Sequence, residues 1–184
     1  MLDRNEALQL IKKHSKKRYM FFHMLEVEAI MKALALHFNE NEEKWSLTGL
    51  LHDIDFEETE ENPKDHGLKA EEILKGLAPQ EIIHAIKAHN FDYTRAVPAS
   101  PMDNGLIAAD AIAGLLVACA LVMPSKKLRE VKVETVAKKL KDKDFARSID
   151  RNRVLYYEKM GVGKEEFIKI ALEGLKKIDA EIGL

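Results

Sequence analysis

A chain of 184 residues with one cysteine, five prolines and nine glycines has little from which to build a cross-linked or turn-rich protein. The lone Cys119 excludes an internal disulfide and a cysteine-based zinc knuckle, which makes a reducing, cytoplasmic compartment the expectation. Aromatic residues are 7% of the total and β-branched residues rarely cluster, so strands are poorly supported and helix is favoured. Neither sign of charge dominates. The formal net charge of −2 gives no global reason to expect nucleic acid or an anionic membrane as partner. The opening Met1-Leu2-Asp3-Arg4-Asn5-Glu6 is polar, with no signal-peptide core behind it.

One long apolar run is present. Leu106 to Met123 carries Asp110 as its only charged residue, and its length alone is compatible with a membrane span. Its alanine content, polar flanks and early carboxylate argue instead for the buried central helix of a bundle, because an unpaired Asp in lipid is costly.

Helical periodicity dominates elsewhere. Asp3 with Glu6 has the form of a capping box opening a first helix through about Lys13. A second helix spans roughly Tyr19 to Phe38, and a third runs from near Asn41 to His52. Pro63 is read as opening a fourth, which Gly76 ends, and Pro79 as opening a fifth through about Asn90. Residues 91–101 read as a loop before the long apolar helix, which Pro124 closes. Two further helices are expected over about 130–158 and 164–181. The whole is expected to be one all-α domain over 1–184, with motifs in 15–125 and a more basic C-terminal helical extension over about 126–184.

The seven histidines divide by helical face. His23 shares a stripe with Val27, Ile30 and Leu34, and so points inward. His52 ends the apolar run Leu50-Leu51 and is followed by Asp53. His66 is placed with Ala70, Ile73 and Leu77, and His89 with Ile82 and Ile86. Asp110 is embedded in the apolar helix. Buried ionisable groups are costly unless paired or bound to metal, and mixed imidazole and carboxylate donors suit first-row divalent ions. Any one of these histidines is more readily a satisfied core residue; the ordered set, with the adjacent His52-Asp53 pair at a helix end, favours a metal. His14, His37 and His84 read as peripheral. The acidic tract Asp55, Glu57, Glu58, Glu60 and Glu61 reads as a solvated loop, with a gate facing the metal as the alternative. The basic cluster Lys138, Lys139, Lys141, Lys143, Arg147, Arg151 and Arg153 reads as a solvated helix face, with a basic wall for phosphate as the alternative.

His23, the doublet within Gly49-Leu50-Leu51-His52-Asp53-Ile54, and the downstream Asp110 together resemble the HD superfamily of metal-dependent phosphohydrolases. The resemblance implies an all-α HD-domain bundle in which His23, His52, Asp53 and Asp110 hold a divalent metal. A subset of the superfamily binds two metals through two further histidines. His66 and His89 resemble these, with Asp53 then bridging the ions. Many relatives continue the doublet as Ile-Gly-Lys, whereas this chain has Ile54-Asp55-Phe56. The Gly-Tyr-Pro signature of cyclic-di-GMP phosphodiesterases is absent, Phe91-Asp92-Tyr93 standing after His89 and Asn90. The overall look resembles that of small stand-alone HD hydrolases whose substrates are unassigned more than that of those phosphodiesterases.

The expected activity is hydrolysis of a small-molecule phosphate ester, a nucleotide or other compound, by metal-activated water. One or two Mn, Fe, Co, Ni or Zn ions would serve. Asp53 is the expected catalytic carboxylate, and Arg18 is placed at the mouth of the site to meet phosphate. Alternatives are an HD-fold di-iron oxygenase, since the six-ligand set resembles that of inositol oxygenase, and a non-catalytic helical binding module with a structural metal. No nucleic-acid or membrane partner is expected, and the sequence leaves the oligomeric state open.

Overall fold

The computed structural model describes residues 2–184, and among these it contains helices and no strand. The fold is all-α. Its helices are α1 (Arg4–His14), α2 (Arg18–Phe38), α3 (Glu42–Leu51), α4 (Phe56–Thr59), α5 (Leu68–Leu74), α6 (Gln80–His89), α7 (Phe91–Thr94), α8 (Pro101–Leu121), α9 (Val133–Lys141), α10 (Arg151–Val154), α11 (Lys164–Lys176) and α12 (Asp179–Ile182). Short 3₁₀ turns lie at Leu128–Glu130 and Leu155–Met160.

Local chemistry sets most of these ends. Asp3 and Glu6 form a reciprocal capping box on α1. Ser100 and Asp103 form a second on α8, with Pro101 in its first turn. Asn39 closes α2 in the left-handed conformation (φ 55°).

Two long helices, α2 and α8, form the centre, and the others pack around them. Close approach to α2 depends on glycines. A Cβ on Gly49 of α3 would lie 2.7 Å from the Val27 carbonyl oxygen and 2.9 Å from the Glu28 Cα. On another face of α2, a Cβ on Gly174 of α11 would lie 2.7 Å from the Ala29 carbonyl oxygen. Backbone meets backbone at both crossings. The α8 helix is long and apolar enough to cross a membrane, with mean hydropathy 1.9, yet 72% of that stretch is buried within the fold. It is the central core helix, its faces covered by α2, α6, α10 and the 155–160 turn.

The structure corrects several expected boundaries. The fourth helix begins at Leu68 rather than at Pro63, because its N-terminus is capped from a distance. Asp55 Oδ2 accepts from the backbone N–H groups of Gly67 (2.8 Å) and Ala70 (2.9 Å). His66 therefore lies in the turn before α5 and not on its face. The expected helix over 130–158 is broken into α9, a loop, α10 and a 3₁₀ turn. Arg151 holds that loop open by donating to the carbonyls of Asp142 and Ile149 at 2.9 Å, of Ala146 at 2.9 Å and of Phe145. The tract after the doublet folds into tight turns and the single turn α4, and residues 91–94 form the single turn α7.

Candidate metal centre

Four imidazoles and two carboxylates converge beside α2 and α8. His23 projects from the buried stripe of α2 that includes the fully buried Val27, Ile30 and Leu34. The α3 helix ends at Leu51, and the chain turns out of it through His52 and Asp53, so both adjacent side chains reach one place. His89 closes α6, and Asp110 stands mid-way along α8.

Each oxygen of Asp53 faces a different pair of imidazoles. Oδ2 lies 3.3 Å from His52 Nε2 and 3.8 Å from His23 Nε2. Oδ1 lies 3.2 Å from His66 Nε2 and 3.7 Å from His89 Nε2. Asp110 Oδ1 closes the first group, 3.0 Å from His23 Nε2 and 3.7 Å from His52 Nε2. In the second group the Nε2 atoms of His66 and His89 are 2.9 Å apart.

The opposite nitrogens are committed elsewhere. His52 Nδ1 donates to the Gly49 carbonyl at 2.8 Å, and His89 Nδ1 donates to that of Ile86. His66 Nδ1 is 2.8 Å from Asp55 Oδ1. Such partners fix the ring orientation and aim Nε2 at the cluster. His23 Nδ1 has Glu26 nearby, at 3.8 Å. Asp55, fully buried, thus has two functions: one oxygen orients His66 while the other caps α5.

The donor set fits divalent ions. Ligands bonded at about 2.0–2.2 Å and meeting at right or tetrahedral angles stand about 2.8–3.6 Å apart, and the separations here match or slightly exceed that range. His52 Nε2 is fully buried with no hydrogen-bond partner, a costly arrangement for an imidazole that has nothing to bind. Two triads, His23-His52-Asp53 and Asp53-His66-His89, have donor atoms close enough to hold an ion each.

The metal-free electrostatics follow from burial and from the two carboxylates. Burial alone would lower the pKa of His52, but Asp53 and Asp110 outweigh it and raise it to about 9. His66 is likewise opposed by burial and raised, by Asp53 and Asp55, to about 10. His23 moves up against burial through Asp110. His89 moves down, through burial and the neighbouring imidazoles. Burial opposes ionisation of Asp53 and Asp110, yet the surrounding histidines hold both well below the usual carboxylate range.

A cleft of about 630 Å³ opens above the cluster, lined in part by Tyr19, Met20, Phe56, Gly114, Ile149 and Arg153. His23, Asp53, His66, His89 and Asp110 line its floor, with the buried His52 behind them. A match to the HD domain model covers residues 20–178. The chain belongs to the HD-domain family. No curated protein and no solved structure matches it.

The HD-domain fold here brings His23, His52, Asp53, His66, His89 and Asp110 together, and it does not bring Arg18. That residue is exposed, lies outside the cleft lining and stacks its guanidinium 5.0 Å from the Phe22 ring centroid. His14, His37 and His84 pair with Glu58, Glu166 and Asp103, away from the cluster. The acidic tract is no uniform solvated loop. Asp55 belongs to the site, and Glu57 accepts from the Ser15 hydroxyl (2.7 Å) and from the Lys16 (2.7 Å) and Lys17 (2.6 Å) N–H groups at the start of α2. Of the basic cluster whose two readings are a solvated face and a wall of the site, Arg153 lines the cleft, and it donates to the His89 carbonyl and to Asp92 Oδ2.

Proposed function

We propose that the chain is a metal-dependent hydrolase of phosphate esters, of nucleotides or other small molecules. In this reading His23, His52, Asp53 and Asp110 hold one divalent ion, and Asp53, His66 and His89 hold a second. The observation that carries it is the position of Asp53, whose two oxygens face separate pairs of imidazoles at the floor of an open cleft.

Divalent ions bound there would neutralise charge on a phosphoryl oxygen and lower the pKa of water at the cleft floor. The chain's own groups prepare that chemistry. Asp53 and Asp110 stay ionised, and the hydrogen bonds at Nδ1 of His52, His66 and His89 hold those rings in place. Arg153 pins the end of α6 through the His89 carbonyl. Water is the proposed nucleophile. Cys119 is buried, and burial pushes its thiol up to about 11, far from a reactive thiolate.

The test is metal analysis of the purified chain, followed by a phosphoester panel and single turnover in oxygen-labelled water. Solvent oxygen should enter the phosphate directly. A trapped phosphoenzyme overturns the mechanism. The same four imidazoles and two carboxylates would also serve a di-iron oxygenase; oxygen consumption dependent on ferrous iron, without phosphate release, would favour that reading.

Two predictions concern the ions themselves. Metal loading should release protons at pH 7. His23, held well above its ordinary value by Asp110, and His52 and His66, raised to about 9 and about 10 in the metal-free fold, are protonated at that pH and must become neutral to bind. His89, already lowered, contributes none. Affinity should therefore climb with pH through neutrality and level off only above these values. Titration calorimetry of Mn²⁺ in buffers of different ionisation enthalpy should show on the order of two to three protons released; no buffer dependence would contradict this.

The second concerns Asp55. Asp55→Ala leaves His66 Nδ1 without its partner and α5 without its cap. Affinity at the His66-His89 site should fall roughly ten- to a hundredfold, the usual effect of losing an orienting carboxylate. The site containing His23 and His52 should keep its ion. Equal loss from both would mean that Asp55 acts on the fold as a whole.

A further inference from the structure

The walls of the cleft are short of usable positive charge. Among the described residues lining it, Arg153 is the one lysine or arginine, the three histidines being assigned to the ions, against Asp53, Asp110 and Asp150. Arg153 is also committed. One terminal nitrogen donates to the His89 carbonyl, the other lies 2.7 Å from Asp92 Oδ2, and Nε is 3.8 Å from Asp150. Its guanidinium stacks 5.0 Å from the Phe91 ring centroid. The remaining wall is largely apolar. Met20 and Phe56 contribute to it, and Ile149 lies against α8 at Gly114, one turn beyond Asp110. A Cβ on Gly114 would stand 2.8 Å from Ile149 Cδ1, so the missing side chain is what lets Ile149 approach. The exposed Asp150 follows directly, at the rim.

We infer that the site takes esters bearing a single phosphate on an uncharged organic group, and selects against polyphosphates, with Asp150 as a determinant of that choice. This rests on the phosphohydrolase reading above. A reacting phosphate meets its counter-charge at the cleft floor. Each further phosphate extends along apolar wall towards Asp150, where desolvation and like charge both oppose it. An uncharged organic group buries against Ile149, Phe56 and Met20 instead, which is favourable in proportion to the apolar area covered.

The experiment uses the full chain with Mn²⁺ in excess over nucleotide. Substrates are 4-nitrophenyl phosphate, a nucleoside monophosphate and the triphosphate of the same nucleoside. The kcat/KM for both single-phosphate esters should exceed that for the triphosphate by on the order of a hundredfold, equivalent to about 2.8 kcal/mol of like-charge and desolvation cost. Asp150 also caps α10, accepting from the Asn152 N–H at 2.9 Å. Asp150→Asn keeps a capping side chain and removes the charge. It should narrow the gap through a lower KM for the triphosphate, and Asp150→Lys should narrow it further, to roughly tenfold. An unchanged ratio in both variants would leave Asp150 as a helix cap only and overturn its assignment. Calorimetric binding of non-hydrolysable phosphonate analogues of the mono- and triphosphate supplies a readout independent of turnover. Equal binding and equal turnover of the triphosphate overturn the inference while leaving the hydrolase reading in place. If the metal-loaded chain turns over none of the three, the inference falls, and the wider phosphoester panel decides the hydrolase reading.

Discussion

Asp53→Ala should lose both ions and all measurable turnover while keeping most of its helix content. The carboxylate is the one group shared by the two triads, each oxygen lying within 3.8 Å of two imidazole nitrogens. Its removal leaves His23 and His52 with Asp110 alone, and leaves His66 and His89 with no carboxylate in their triad. The methyl group of alanine can bind nothing. Turnover should drop on the order of a thousandfold or more, since charge stabilisation and water activation are lost together. Asp53 lies outside the helices, in the turn after α3, so the backbone ladders survive. Elemental analysis and far-ultraviolet dichroism check the two halves of this expectation. A folded variant with full metal occupancy would remove Asp53 from the centre of the argument.

The largest stability effect is expected at a glycine. Gly49→Ala places a methyl 2.7 Å from the Val27 carbonyl oxygen and 2.8 Å from its carbon, both backbone atoms of α2. Neither can rotate away, so α3 and α2 must separate. The cost should be about 3 kcal/mol or more, at the upper end for overpacking. For a chain of this size that corresponds to a fall in Tm of roughly 6–12 °C. Metal affinity should fall as well. The Gly49 carbonyl orients His52, and the crossing at Val27 is one turn from His23. Gly114→Ala is the control: it meets only Ile149 Cδ1, the end of a side chain that can turn aside, and should cost far less. Similar losses of Tm in the two variants would show that backbone contact is not what matters at Gly49.

Much of the centre was legible in the sequence because periodicity and order carry it. The offsets from His23 to Val27, Ile30 and Leu34 fix an inward face, and His52-Asp53 at the end of an apolar helix requires nothing distant to be recognised. What was not legible depends on partners far apart in the chain. The cap of α5 comes from Asp55, so neither the true start of that helix nor the buried position of the carboxylate has a local signature. The break between α9 and α10 depends on one guanidinium reaching backbone carbonyls, which any sequence offers. Arg153 looks like its basic neighbours until the fold carries it to His89. Arg18 was misplaced for a simpler reason: five residues rotate a helix position by about 140°, away from the face of His23. Its stacking on Phe22 reflects that other face.

The two glycine crossings on α2 also order events on the ribosome. The α3 flank of α2 is available soon after α2 is made, but the opposite flank waits for residues 164–176. The apolar α8 waits too, because α10 and the 155–160 turn that cover one side of it follow in the chain. A nascent chain therefore holds one side of its most hydrophobic helix uncovered until residues 151–160 emerge. That interval, more than the finished fold, is where this protein is exposed to aggregation and to capture by chaperones.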